Sequence, residues 1–541
     1  MYTLTSKYWY TLKIENMKTF LILSTLLFFC GSSFGQNQNI SNGNIFDGEP
    51  YLSINPENPK HMVVAWMGYL PLTNVLIKTR VTFNGGQTWS NINSIVHAKP
   101  VYGSADPSIE FDASGNVFLS FIDYSRSIDS GAVYVSKSTN GGLNWGAAVE
   151  AISAHSDPGK YPIDRPWMSI DHSGGVNDGN IYVTSMSPKV FGPIAPPYRP
   201  YFVVSTDGGS SFNPWVYLDT NNWFAGNTVA QPMPTNCVSS NGTFHAIYPS
   251  YLIVQSFFAR YIIASSNDAG NSFTYHTVLN LSSGISDTLS KKGYLIRSNP
   301  ANANHLAFFY LNKVHGDIDV FMSESFDEGA IWTSGIRIND DPIANNRMQD
   351  LLWADFDVNG NLVVSWRDRR NGTDSTYTTS SEIWGAYRSK DSTSFSANFK
   401  LSDNIVPYDT ILSFSGNDFM CIKLMDDTLN AVWGDTRNGK LNIWFRQLSM
   451  TGTTLLTQKI SSENIPNIRI YPNPVKAIVN IESKNLQQIA IYDMAGNKIL
   501  EKENENSADK MKINLENYSA GTYLIEVTTS EGIKTTKIIK E

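Results

Sequence analysis

An eight-residue pattern that returns about every sixty residues constrains this chain more than any other feature. It reads Ser or Thr, any residue, Asp or Asn, any residue, Gly, two of any kind, then an aromatic. Copies stand at Thr82–Trp89, Ser138–Trp145, Ser205–Phe212, Ser266–Phe273 and Ser325–Trp332, at steps of 56, 67, 61 and 59 residues, and a worn sixth, Ser389–Phe395, follows 64 later. Such a period marks one supersecondary unit repeated until its neighbours bury it. Within a copy, the Asp or Asn and the Gly supply side-chain-to-backbone hydrogen bonds and positive φ for a hairpin turn, and the aromatic packs back between sheets. Asn84, Asn140, Asp207, Asp268 and Asp327 are therefore expected to be structural.

Each copy sits late in a unit of four strand-like segments. In the second unit these are Pro107–Asp112, Asn116–Asp123, Ala132–Ser138 and Trp145–Ile152, separated by Gly, Asn and Ser turn signals. Residues 47–97, 105–152, 164–218, 228–280, 290–340, 348–401 and 413–460 read as seven such units. The last lacks the pattern but keeps two middle strands, Leu429–Trp433 and Leu441–Arg446. Four-stranded units in series close into a β-propeller. The expected fold is all-β, with seven blades favoured over six.

These motifs match the Asp boxes of the sialidase-like, or BNR-repeat, β-propellers. The resemblance covers roughly residues 45–460 and implies architecture more strongly than activity, since many Asp-box proteins are not sialidases. Sialidases of the family have six blades.

Both ends of the chain carry addresses. Lys18, an apolar run from Phe20 to Cys30 and small residues before Gln36 give the order of a secretory signal over residues 1–35, with Met17 as an alternative start. Its core is too short to span a bilayer in the mature chain. Without it only Cys237 and Cys421 remain, so no disulfide scaffold is expected. At the other end, residues 463–467 read as a polar linker and 468–541 as a small antiparallel β-sandwich of alternating strands. Tyr471-Pro472-Asn473-Pro474, Ile491 to Gly496, Ser519 to Tyr523 and the closing Lys537-Ile538-Ile539-Lys540 resemble the C-terminal sorting domain, type A, of the Bacteroidetes type IX secretion system. The resemblance implies the secretion machinery as a partner, export across the outer membrane, and an extracellular or cell-surface location. The propeller then spans 36–462. A prior of roughly 150 residues per domain would have divided 541 residues into three or four.

Strand alternation identifies a functional face. The second-to-third turns and the connections between blades lie on one face, and the Asp boxes on the other. On the first face, units align by a polar residue before a proline at the inner strand: Glu49-Pro50, Asp106-Pro107, Arg165-Pro166 and Gln231-Pro232, with Lys292, Gln349-Asp350 and Asn417-Asp418 at about the same place later. The proline recurs for geometry and the residue before it varies, as in a ring fitted to one asymmetric ligand. The turns add Asp368 with Arg370 and the near-copy Asp435 with Arg437, and Arg347 stands close by. Because that Asp/Arg pair repeats, an ion pair fixing the turn is the competing expectation.

Arginine's fork suits a carboxylate ligand, and the resemblance implies three arginines, a Tyr–Glu pair and an Asp in any sialidase site. The family's Arg-Ile-Pro signature is absent: the place reads Glu49-Pro50-Tyr51-Leu52. Glu49 and Asp106, on adjacent units, are the candidate catalytic pair of some other glycoside hydrolase. Arg165, Gln231, Arg347, Asp350, Asp368, Arg370, Asp435 and Arg437 are the candidate ligand-binding set. No zinc-protease motif, paired CxxC or phosphate loop is present, so no cofactor or metal is expected. A net charge of −8 argues against nucleic acid. The expected function is an exported propeller that binds glycan or protein; a glycoside hydrolase and a non-binding spacer are the alternatives.

Overall fold

The computed structural model describes residues 37–70, 74–127, 129–158, 163–186, 200–219, 234–250, 260–280, 293–408, 417–450, 468–493, 498–504, 508–529 and 532–541. The expected secretory signal, the linker at 463–467, Gln231 and Lys292 lie outside them. The chain divides into two units, 1–455 and 456–541. No helix among the described residues is long and apolar enough to cross a membrane.

The first unit holds, among the described residues, seven four-stranded antiparallel sheets. Their inner strands are Asp47–Asn55, Tyr102–Phe111, Asp164–Ile170, Thr235–Val238, Tyr294–Asn299, Gln349–Phe356 and Cys421–Met425. Each packs on the next and the last on the first, so the inner strands form a closed ring. Six sheets run inner to outer in chain order. In the seventh, Gln38–Asn39 pairs with Asn442–Ser449 and supplies the outermost strand, so the N-terminus closes the ring. The sequence shows no sign of this two-residue strand.

Central strands are covered on both faces by neighbouring blades, so they read as continuous apolar runs instead of alternating ones. Met62, Val63, Val64, Ala65 and Trp66 are all fully buried. The Asp boxes form one repeated bond set. In every copy the first hydroxyl donates to the Asp or Asn oxygen (2.7–3.0 Å), the fifth residue's N–H donates to that hydroxyl (2.8–2.9 Å), and the seventh residue's N–H donates to the same Asp or Asn oxygen (2.9 Å). The boxes also lie against the preceding blade: Trp89 meets Phe445 edge-on, and the Trp145 ring nitrogen donates to Thr79.

The second unit is a sandwich of a three-stranded sheet (Arg469–Tyr471, Ile478–Glu482, Lys510–Asn514) and a four-stranded one (Lys498–Glu503, Leu486–Tyr492, Gly521–Thr529, Gly532–Lys540). Val479, Ile481, Ile489, Ile491, Ile513, Ile525 and Val527 fill its core, as period-two alternation requires.

Candidate functional site at the N-terminal ends of the inner strands

The inner strands begin before the prolines, and this corrects their expected place at the strand openings. Each of the three described Xaa-Pro pairs is a β-bulge inside its strand, where the register slips between Gly48 and Tyr51, Ala105 and Ser108, and Asp164 and Trp167. The residue before the proline is left-handed, with φ of 54° at Glu49, 53° at Asp106 and 53° at Arg165. Non-glycine residues adopt this conformation only where surrounding structure over-determines it. A bulge re-aims the side chain it carries, and here three adjacent blades bring theirs together.

The sixth blade has the same bulge, between Asp350 and Trp353, and its left-handed residue is Leu351 (φ 54°). The expected alignment of Gln349-Asp350 with Glu49 is therefore one residue short. Asp350 registers with Asp164 instead, and is clamped by Arg367 (2.6 Å), Arg369 (3.2 Å) and the Tyr377 hydroxyl (3.0 Å). Burial works to raise its pKa, but the two arginines outweigh it and hold the carboxyl below its ordinary range.

Glu49, Asp106, Asp164, Arg165 and Asp418 form one cluster. Arg165 Nη2 donates to Asp418 Oδ2 at 2.6 Å, bridging the third and seventh blades. Asp106 acts on both Glu49 and Asp164, favouring the protonated form of each. Burial and then the Asp106 charge push Asp164 up to about 8. Burial, Asp106 and Asp418 push Glu49 well above its usual range, with Arg165 opposing. Burial disfavours the Arg165 charge, but Asp418, Asp106, Asp164 and Glu49 outweigh it. Glu49 is 2% exposed, and its Oε2 has no hydrogen-bond partner among the described residues. The same is true of the Tyr124 hydroxyl, whose pKa is raised by burial and then by Asp164 and Asp106. The cluster can therefore present one or more neutral carboxyls at neutral pH beside a fixed guanidinium.

Glu49, Asp106 and Arg165 thus come together. Arg370 sits on Asp368 (2.9 Å) and on Asp340 of the connection from the previous blade (2.6 Å), stacked on Trp384. Arg437 repeats this with Asp435 (2.6 Å), Asp403 and Trp444. These four residues tie blade to blade. The Arg347 backbone N–H donates to Asp317, while Nη1 of its half-buried side chain has no partner among the described residues. Asp164 was not foreseen. Its signal is its place beside Arg165, where the first two bulges have Gly48 and Ala105 and the sixth has Asp350. Cys237 and Cys421 are free and buried.

The family model described as a secretion system C-terminal sorting domain matches residues 469–541. No curated protein sequence matches the chain. Solved structures similar to it include the phage phi92 endosialidase (11% identity, 93% of this chain and 87% of that one, TM-score 0.44). The GH93 α-L-arabinofuranosidase of Fusarium graminearum, in complex with arabinobiose, is similar at 12% identity over 77% and 98% of the two chains, with a TM-score of 0.43. The NanB sialidase of Streptococcus pneumoniae follows at 12% identity over 78% and 71%, with a TM-score of 0.38. The chain is a β-propeller that ends in a type IX secretion sorting domain, which directs it to the cell surface or the extracellular space.

Proposed function

We propose that this exported propeller binds an extracellular glycan at the Glu49–Asp106–Asp164–Arg165–Asp418 cluster without turning it over. The carrying observation is that four carboxyls, Glu49, Asp106, Asp164 and Asp418, are gathered around one guanidinium, Arg165, which closes on Asp418 at 2.6 Å. Two-carboxyl glycosidases hold theirs about 5–5.5 Å apart to retain configuration, or about 6.5–9.5 Å to invert it, because sugar or water must stand between. Here the carboxyls are gathered around Arg165, with Glu49 2% and Asp106 9% exposed, which suits a packed cluster and not an open cleft. They offer hydroxyl-rich ligands donors and acceptors side by side, with Arg165 as a fixed fork.

One observation favours hydrolysis as a second reading. Asp164, pushed up to about 8, stays protonated at neutral pH as a general acid must. The full-length protein, applied to a glycan array and to a panel of fluorogenic glycosides, separates the two. Binding without fluorescence, weakened at least tenfold by Glu49→Gln or Asp106→Asn, is the expected result. Turnover abolished by either substitution makes the protein a hydrolase, and neither binding nor turnover makes it a spacer.

A further inference from the structure

The inner strands have a second end. Four residues on from each bulged residue, the side chain again faces the channel axis, giving Ser53, Glu110, Ser169 and Asp355, and the remaining blades bring Cys237, Arg297 and Lys423 to the same level. All seven line one cavity of about 520 Å³. Its rim includes Pro56, Glu57, Ala113, His172 and Pro300, from the first-to-second turns. Those turns lie on the Asp-box face, opposite the carboxyl cluster. Rings from three inner strands and from the segment leading into the seventh stand between the two ends: Tyr51 meets Trp353 at 5.2 Å, Trp167 stacks on Trp353 at 5.3 Å, and Phe419 closes on all three.

The charges at this end are balanced but not closed on one another. Glu110 stands 3.9 Å from His172, Lys423 is 3.8 Å from Asp355, and Arg297 is 4.0 Å from Asp355. Elsewhere in the same propeller, buried pairs close fully, as Asp350–Arg367 does at 2.6 Å and Arg388–Glu324 at 2.5 Å. Charge-assisted hydrogen bonds prefer about 2.7–2.9 Å; Arg297 donates to the Ala354 and Ile296 carbonyls and Asp355 accepts from the Leu424 N–H, but the ion pairs themselves stay open. Two further lining residues carry unpartnered polar atoms among the described residues: Ser169 Oγ, on a side chain 6% exposed, and Asn236 Oδ1, on one 2% exposed. Buried polar atoms of this kind are rare unless something satisfies them.

We propose that this cavity is a second ligand site, for a neutral sugar of one or two rings. Inside the cavity two cations, Arg297 and Lys423, face two carboxyls, Glu110 and Asp355, with Glu57 and His172 at the rim, so neither sign dominates and no ion is favoured. A zwitterion needs separated poles, and here Lys423 and Arg297 both stand about 4 Å from Asp355. A hydroxyl fits that gap, accepting from Lys423 while donating to Asp355, and Trp167, Tyr51 and Phe111 give a sugar ring apolar faces to lie on. The volume lies within the ~300–1,000 Å³ of small-ligand pockets.

The test is saturation-transfer NMR on the full-length protein, with methyl glycosides of glucose, galactose, mannose and arabinose, their β-linked disaccharides, and glycine and acetate as charged probes. At least one neutral sugar should bind. Its affinity should fall tenfold or more in Glu110→Gln and in Lys423→Met, and stay within twofold in Asp391→Asn, an exposed position outside both sites. Thermal melts establish that each variant folds, and Glu110→Gln decides alone if Lys423→Met does not. The proposal is overturned if no neutral sugar binds, if glycine or acetate binds more tightly than every sugar, or if only Glu49→Gln weakens binding. Loss in Glu49→Gln alone would leave the reading of the carboxyl cluster standing, so the two claims fail separately.

Discussion

Glycines at the fifth position of the Asp boxes are needed for two reasons at once. Gly270 has φ +85°, and a Cβ there would come within 2.1 Å of Phe202 in the preceding blade; Gly86, at φ +83°, would meet Phe445 at 2.4 Å. Gly270→Ala should destabilise the protein by roughly 2 kcal/mol or more, from left-handed strain plus overpacking. Gly439, at φ +79° with nothing within 4 Å, is the control and should lose only about 1 kcal/mol as Gly439→Ala. Urea unfolding of both variants reads the difference. The carboxyls make a second prediction at this scale. Asp164 binds its proton up to about pH 8 when folded but only to about pH 4 when unfolded. Its stabilising contribution is thus fully present below about pH 4 and lost as pH rises through about 8. Denaturant unfolding between pH 5 and 9 should show stability falling with pH, and Asp164→Asn should flatten that slope. An unchanged slope would mean that Asp164 is ionised in the folded chain. Asp350 behaves oppositely: held low by Arg367 and Arg369, it stabilises above its unfolded pKa and stops doing so as pH falls through its folded one. Asp350→Asn should cost about 3–5 kcal/mol, because two buried guanidiniums would lose their carboxylate.

At the scale of the element, the interfaces between blades are polar at one end and apolar in the middle. Arg370 and Arg437 reach back to Asp340 and Asp403 of the preceding blade, while box glycines and aromatics pack on its strands. The ring closes by the Gln38–Asn39 strand on Asn442–Ser449, supported by Asn37 with Asp403 and by Ile40 with Ile443. Deleting residues 37–42 would leave a bare edge strand on the seventh sheet. The expected outcome is a lower melting temperature and concentration-dependent association in light scattering. Equal melting temperatures for the two forms would mean that closure adds nothing. Strand existence in the blades was legible because hydrophobic runs, turn residues and the box recur together. The bulges were not, since a proline near a strand end reads equally well as its start; only the slip from Gly48 to Tyr51 shows otherwise.

At the scale of the whole molecule, every residue named in either proposed site belongs to the first unit, and the sorting signature to the second. Protein lacking residues 468–541 should bind the ligands of the full chain with unchanged affinity by calorimetry, and should stay inside the producing cell. A loss of binding would place part of a site in the tail. The sequence by itself determined the repeat, the all-β propeller with its C-terminal sandwich, the sorting signature, and the placing of Glu49 and Asp106 on adjacent units. These follow from local chemistry: turn residues, strand periodicity and prolines act over a few positions and are written where they act. Only the tertiary structure decided that Asp164 and Asp418 join the carboxyls, that Arg370 and Arg437 are spent on neighbouring blades, and that Glu110, Arg297, Asp355 and Lys423 meet at the opposite end of the channel. Those groups lie far apart along the chain. Their protonation and pairing depend on burial and on charges brought in from other strands, and neither exists until the ring has closed.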